Sequence, residues 1–435
     1  MIDEILSRAS KVSDSAEVFQ VNAAETPVSF ETNRLKQITT RQSRGVSLRL
    51  IRNGKLGFAT ASGEVKPQDL VKRAAEAAEF GAKAHFELPA SYSHREMQIF
   101  DPEVEKLSQD KMVEMGQGLI DSVWAHNSEL KCDARVVKAV VDVNIANSRG
   151  SAANYKKSIF HIEVEGTLIR GTDMLFVGDG DTSCNPITDY RQIASAVIEQ
   201  LELAKENISM PTKILPAIFT PHGVVSALLS PLVTAFNGRV VFQGASPLGH
   251  RKGEKVFQDN ISLWDDATMP FKPSSRPWDD EGIPSQRNSL IEKGVVSNFL
   301  YDLQTGGMAK AKSTGNASRA MGGMPAPMAS ALIISAGETS LEDMLNGMEE
   351  GLLIEHLMGA EQGNVMGGDF SGNVLLGYRV EKGKVVGRVK NAIVAGNIYE
   401  LLRDGVILSK DSRWVYGHLS TPYIYVARLS VAGKG

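Results

Sequence analysis

Along the first half of the chain, apolar and polar residues alternate in short runs. Residues 18–22, 28–31, 46–51 and 56–61 follow the period of two that marks half-buried strands. Arg52-Asn53-Gly54-Lys55 separates the last two runs. Asn-Gly between alternating segments predicts a tight hairpin, because both turn positions need positive φ. Helical spacing predicts helices over 2–12, 67–84, 108–127 and 190–207. Ser108 stands as N-cap of the third, with Met112, Met115, Leu119, Ile120 and Val123 on one face. Residues 132–146 and 158–169 alternate again around Asn147-Ser148-Arg149-Gly150, whereas 174–186, rich in Gly, Asp and Ser, predict a loop. Strands joined by tight turns and then covered by helices imply an α+β class, an antiparallel sheet with helices on one face.

Ser209-Met210-Pro211-Thr212 breaks this pattern and predicts a boundary between a domain at 1–209 and another at 210–435. Beyond it, 214–219 read as a buried strand. Residues 221–238 read as a mostly apolar helix through Val224, Val225, Leu228, Leu229, Leu232 and Val233. Glycine then becomes frequent and helical spacing rare. Lys293-Gly294 and Lys382-Gly383 each predict a hairpin, and 405–409 and 423–431 predict closing strands. A mainly β half follows, a Gly-rich curved sheet or open barrel.

With 42% apolar and 23% charged residues in 435, large cores are possible. A net charge of −4 and the absence of a basic stripe argue against direct nucleic-acid binding. Two cysteines, Cys132 and Cys184, permit neither a disulfide framework nor a Cys-rich zinc site and predict reduced thiols. The acidic, amphipathic start is no signal peptide, and no apolar run approaches about 18 residues, so a cytoplasmic protein without a membrane span is expected.

Few residues offer chemistry. Metallopeptidases place two His ligands and a Glu base on one helical face, yet 223–238 carry neither His nor Glu, and His222 has no His one turn on. Asp279-Asp280-Glu281 read as a solvated turn, since consecutive carboxylates cannot converge on one cation. Glu355-His356 read as a helix end, and His418 as a structural histidine beside a strand. Residues 304–327 form the most unusual segment. Gly306, Gly307, Lys310, Lys312, Asn316 and Arg319 there can present N–H groups and positive charge to a carboxylate or phosphate, or order on a peptide. Gly368, Asp369 and Ser371 form a second small, polar group, with Ser371 read as a turn residue because no His is near it in sequence.

Taken together, several segments resemble one family, the TldD/PmbA proteins, long labelled modulators of DNA gyrase. The likeness runs through Arg44-Gly45-Val46-Ser47-Leu48-Arg49, Gly57-Phe58-Ala59, Asp280-Glu281-Gly282-Ile283-Pro284 and Phe299-Leu300-Tyr301-Asp302. It continues through Ser313-Thr314-Gly315-Asn316, Val389-Lys390-Asn391-Ala392 and Ala395-Gly396-Asn397, and so covers nearly the whole chain. The resemblance implies two kinds of member. TldD-like chains carry His-Glu-x-x-x-His and a late Cys ligand for zinc; PmbA/TldE-like chains lack them.

Here the corresponding positions read Ser230-Pro231-Leu232-Val233-Thr234-Ala235, no Cys follows Cys184, and Pro231 should disturb the helix. The resemblance therefore implies a PmbA/TldE-like subunit with no catalytic residue and no metal of its own, paired as a heterodimer with a TldD-like zinc protease that degrades or processes unfolded peptides. Zinc is expected in the partner, and a homodimer when the partner is missing. The named Gly, Lys, Asn, Arg, Asp and Ser positions would then lie along the peptide path. Two other readings stand beside it: a stand-alone hydrolase using Ser371 or His418, and a regulatory binding protein of the gyrase-modulator type.

Overall fold

In a computed structural model, residues 1–91, 96–319 and 323–433 are described. The architecture is α+β, built on two sheets. The first is a seven-stranded antiparallel half-barrel of β1 (Ser15–Glu31), β2 (Arg34–Ile38), β3 (Arg41–Arg52), β4 (Lys55–Ser62), β5 (Lys131–Asn147), β6 (Ala152–Arg170) and β7 (Asp173–Ser183). Its main order is β4-β3-β1-β5-β6-β7, with β2 beside the end of β1. Asn53 and Gly54 adopt φ of 53° and 72° in the β3–β4 turn, as the Asn-Gly pair predicts.

Strand alternation gives this sheet two faces. Ala16, Val18, Val28 and Phe30 point one way, into cores shared with α1 (Ile2–Ala9), α2 (Pro67–Ala77), α3 (Gln109–Trp124) and α4 (Arg191–Leu203). Ser108 caps α3 by accepting from Lys111 N at 3.2 Å. Helices α2 and α4 are shorter than their apolar spacing suggests. Glu17 and Phe19 point the other way, toward the C-terminal half, where Phe19 packs in a cluster with Trp278.

Strand β7 corrects the loop expected at 174–186. Leu175, Val177 and Asp179 alternate as buried residues, and the glycines between them permit close packing. A Cβ on Gly180 would lie 2.6 Å from Glu163 Cβ. Gln200 of α4 bonds both N (2.8 Å) and O (3.1 Å) of Gly178, which fixes the strand against the helix.

In the C-terminal half, β8 (Lys213–Phe219), β9 (Glu350–Met358), β10 (Asp369–Glu381), β11 (Ala392–Asn397) and β13 (Leu419–Gly433) close into a barrel, and β12 (Ile407–Val415) pairs with β13 outside that ring. The sheet expected to stay open closes because β8 bonds β9 in parallel and β13 antiparallel. Phe219 and Phe370 meet edge-on inside it, ring centres 6.2 Å apart. Lys293-Gly294 and Lys382-Gly383 form hairpin turns with positive φ at all four residues.

The helix after β8 runs in three pieces: α5 (Pro221–Val224), a π turn at Val225–Leu229, and α6 (Ser230–Phe236). Pro231 does not break it. The widened turn falls just before the proline, where an ordinary helix would demand the missing N–H.

Candidate functional site

Thr220 caps α5 by accepting from Gly223 N at 3.1 Å, and Pro221 occupies the first turn, so His222 is held at a fixed angle. Gly223 lets the helix start press on β9; a Cβ there would come within 2.3 Å of Ile354 O. The imidazole lies between two carboxylates. Its Nδ1 is 3.0 Å from Glu355 Oε1 on β9, and its Nε2 is 3.4 Å from Asp179 Oδ1 on β7. Tyr416 stacks on the ring at 6.0 Å and 24°. Arg413 of β12 bonds the other oxygen of Asp179.

His222, Asp179, Glu355 and Tyr416 line a cleft of about 280 Å³ together with, among others, Glu163 and Glu165 of β6, His356, Phe176 and Val225. Burial pushes the Asp179 carboxyl up, while Arg413 and then His222 pull it back. A hydrogen bond from His161 holds Glu163 below the usual carboxylate range. Partial burial and then the neighbouring Glu163 raise Glu165. Burial and His222 lower His356. The cleft is thus acidic with an apolar wall, suited to ammonium or guanidinium groups and to hydrogen-bond donors. Among the described residues no hydroxyl or thiol bonds His222, so the nucleophile–base pairing of a hydrolase is missing there.

Zinc does not fit these residues. Ser230, Pro231 and Ala235 on α6 supply no imidazole or carboxylate. The oxygens of Glu355 and Asp179 aim at the nitrogens of His222 rather than, with them, at a common centre. No group of three or more His, Cys, Asp or Glu among the described residues is arranged to hold a metal ion.

The residues singled out at 304–327 and 368–371 do not come together. Gly306 and Gly307 belong to α7 (Leu303–Met308), not to a loop. Gly307 packs on backbone, since a Cβ would lie 1.8 Å from His85 O. Lys310 and Lys312 are exposed. Asn316 is fully buried and donates to Asp265 Oδ2 at 2.6 Å. Arg319 is buried and donates to Glu17, to Ser47 Oγ (3.2 Å) and to Asp280 O (3.1 Å). Residues 320–322 of that segment lie outside the described residues, as do 92–95.

Gly368 (φ 88°) ends the short turn before β10, and Asp369, the first residue of that strand, accepts from Asn397 at 2.8 Å. Ser371 is an exposed strand residue rather than a turn residue, in a separate hollow with Glu400, Arg403 and Arg428.

Other expectations are corrected in the same way. Asp279-Asp280-Glu281 are buried, not solvated. Asp279 accepts from Glu281 N, Ile283 N and Ala317 N; Asp280 pairs with Arg276; Glu281 pairs with Arg49. Glu355 and His356 lie in a strand, not at a helix end: Leu352, Leu353 and Ile354 pair with both β8 and β10, and His356 and Leu357 continue the pairing with β10 past a register shift at Glu355. His418 does sit beside a strand, and its Nδ1 meets Ser274 Oγ. Asp179 and Glu355 carried no signal as partners of His222, since each belongs to a different strand.

Residues 212–433 match the PmbA/TldA metallopeptidase C-terminal domain, and residues 16–78 match PmbA/TldA metallopeptidase domain 1. The chain is 25% identical over 419 residues to an uncharacterized protein of Methanocaldococcus jannaschii, covering 94% of each. It is 22% identical over 444 residues to the metalloprotease PmbA homolog of Haemophilus influenzae, covering 98% of this chain and 94% of that one. In fold it is similar to TldE from Thermococcus kodakarensis, with TM-score 0.90, 24% identity and 99% of each chain covered. It is also similar to a putative modulator of a DNA gyrase from Thermotoga maritima, with TM-score 0.87, 23% identity and 99% of each covered.

Proposed function

The chain belongs to the PmbA/TldA metallopeptidase family, and from that premise we propose that it is a non-catalytic, TldE-like subunit that holds unfolded peptide for a zinc-bearing TldD-like partner. The observation that carries this reading is on α6. Where the resemblance expects His-Glu-x-x-x-His, the helix carries Ser230, Pro231 and Ala235, and Ala235 O instead accepts from buried Ser246 at 2.7 Å. The helix is kept as packing while the donors are absent.

Between the half-barrel and the C-terminal barrel, β6 presents one face that lines cavities at both of its ends. The main-chain groups of β6 are paired with β5 and, from Phe160 to Arg170, with β7, so an extended peptide across this face would be held through the side chains that line those cavities. Co-expression with a TldD-like zinc subunit tests the proposal. The two chains are expected to migrate together and peptide hydrolysis to depend on both. Separate migration, with hydrolysis indifferent to this chain, would sink it.

A second reading, a stand-alone hydrolase, has one foothold in the Ser274–His418 contact. Chelator-resistant activity of the pure chain that disappears in Ser274→Ala would favour it. Ser371, the other serine considered, has no histidine among its described partners.

A further inference from the structure

Lys157 lies in β6 with only 8% of its surface exposed. Its ammonium donates to Pro273 O at 2.8 Å, and among the described residues it meets no carboxylate within ion-pair distance. A buried ammonium without a counter-ion is costly, and such groups are normally paired. Burial pushes Lys157 down to about 8, consistent with a charge that lacks compensation.

The same residue lines a cavity of about 280 Å³, far more than the ~30 Å³ one water occupies. Two other buried donors on its wall have unused hydrogens. Arg276 spends Nη1 on Asp280 and Nη2 on Ala317 O, but its Nε has no partner. Ser330 has a buried Oγ with no partner. The one carboxylate on the wall, Asp280, is already engaged through both oxygens by Arg276 Nη1 and Arg319 N. Phe19, Val21, Val143 and Met328 supply an apolar side.

We infer that this cavity binds the carboxylate of a peptide's C-terminal residue, with Lys157 as the charged donor and the apolar wall against that residue's side chain. The inference rests on the peptide-holding role proposed above and deepens it. A peptide suits the site better than a free small anion because of what lies farther along β6. Lys157, Glu163 and Glu165 are at odd positions of one unbroken register, so they share a face. Glu163 and Glu165 stand six and eight residues on, roughly 20–26 Å away. A peptide seated by its carboxylate at Lys157 therefore extends toward the acidic cleft around His222, complementary to its amino end or to basic side chains.

Calorimetric titration of the full chain with an N-acetylated, unstructured hexapeptide ending in leucine tests this, using the free acid and the C-terminal amide. Trp278 packs edge-on against the cavity residue Tyr155, ring centres 4.8 Å apart, and gives an independent fluorescence signal. The free acid is expected to bind roughly tenfold or more tightly than the amide, the scale of a charge-assisted hydrogen bond. Lys157→Met should abolish that preference, and Lys157→Arg should retain it. Equal binding of acid and amide by the native chain would overturn the carboxylate site and leave the peptide-holding role standing. Binding of neither peptide would overturn both. Acetate alone, saturating the site as tightly as the peptide acid, would make it a small-anion site and overturn the peptide assignment.

Discussion

Arg319 donates to Glu17 across 302 positions of sequence, and both side chains are buried. Arg49 grips the same carboxylate from the sheet at 3.2 Å and also binds Glu281. Charges of alternating sign thus join the half-barrel to the C-terminal half without exposure to solvent. Arg319→Ala leaves Glu17 with Arg49 alone and takes the side-chain donor from the Asp280 main-chain oxygen in a water-poor region. It should cost about 3–5 kcal/mol, the range for breaking a buried pair. Chemical denaturation checks this; a loss below ~1 kcal/mol would mean the pair behaves like a surface one.

Gly307 and its lysine neighbours should separate cleanly. Gly307→Ala drives a methyl against His85 backbone and is expected to destabilise by roughly 1–3 kcal/mol. Lys310→Ala and Lys312→Ala, on exposed residues, should stay within about 0.5 kcal/mol. Thermal denaturation of the three variants decides it. If the lysine variants instead lose peptide binding at unchanged stability, the exposed lysines are part of the peptide path.

Arg413 restrains the buried Asp179, whose carboxyl still lies above the usual carboxylate range because burial outweighs it. A carboxyl raised on folding holds its proton where the unfolded chain has lost it, so stability falls as pH rises through that window. Removing Arg413 widens the window, with Asp181, His222 and Glu355 as the remaining charged or titratable neighbours. Arg413→Met should therefore destabilise more at pH ~8 than at pH ~5, by roughly 1–2 kcal/mol given the partly exposed guanidinium. An equal loss at both pH values would contradict this assignment.

Lys157 has the opposite sign. Its ammonium, held at about 8 when folded against an ordinary 10.5, loses its proton earlier in the folded chain. Stability contributed by this site rises with pH between those values. Arg276, Asp280, Cys184 and Tyr155 face it. The stability gap between the native chain and Lys157→Met should shift in favour of the native chain as pH rises from about 8 to 10.5. A gap independent of pH in ligand-free protein would mean the ammonium is not strained.

What could be read from sequence was local. Asn53-Gly54, Lys293-Gly294 and Lys382-Gly383 announce their turns because few residues tolerate positive φ. Ser108 announces its helix for a similarly local reason. The site was not local. His222 looked solitary because Glu355 is 133 positions away, and Asp179 sat in a Gly-Asp stretch whose strand character depends on packing against β6 and Gln200. Asp279-Asp280-Glu281 looked solvated because Arg49, the cation of Glu281, and Ala317 N, a donor to Asp279, arrive from distant segments. Arg319 and Asn316 have the residue types of an anion site, yet their hydrogen bonds are spent largely inside the fold, while Lys157 drew no notice within an ordinary strand.

The proposed function divides labour between two chains. The most direct test is zinc content by elemental analysis, with casein hydrolysis on the same sample, before and after mixing the purified chain with a TldD-like subunit. No stoichiometric zinc and no hydrolysis alone, with zinc-dependent hydrolysis appearing only in the mixture, is the predicted result. Near one zinc per chain together with chelator-sensitive activity in the isolated protein would contradict it.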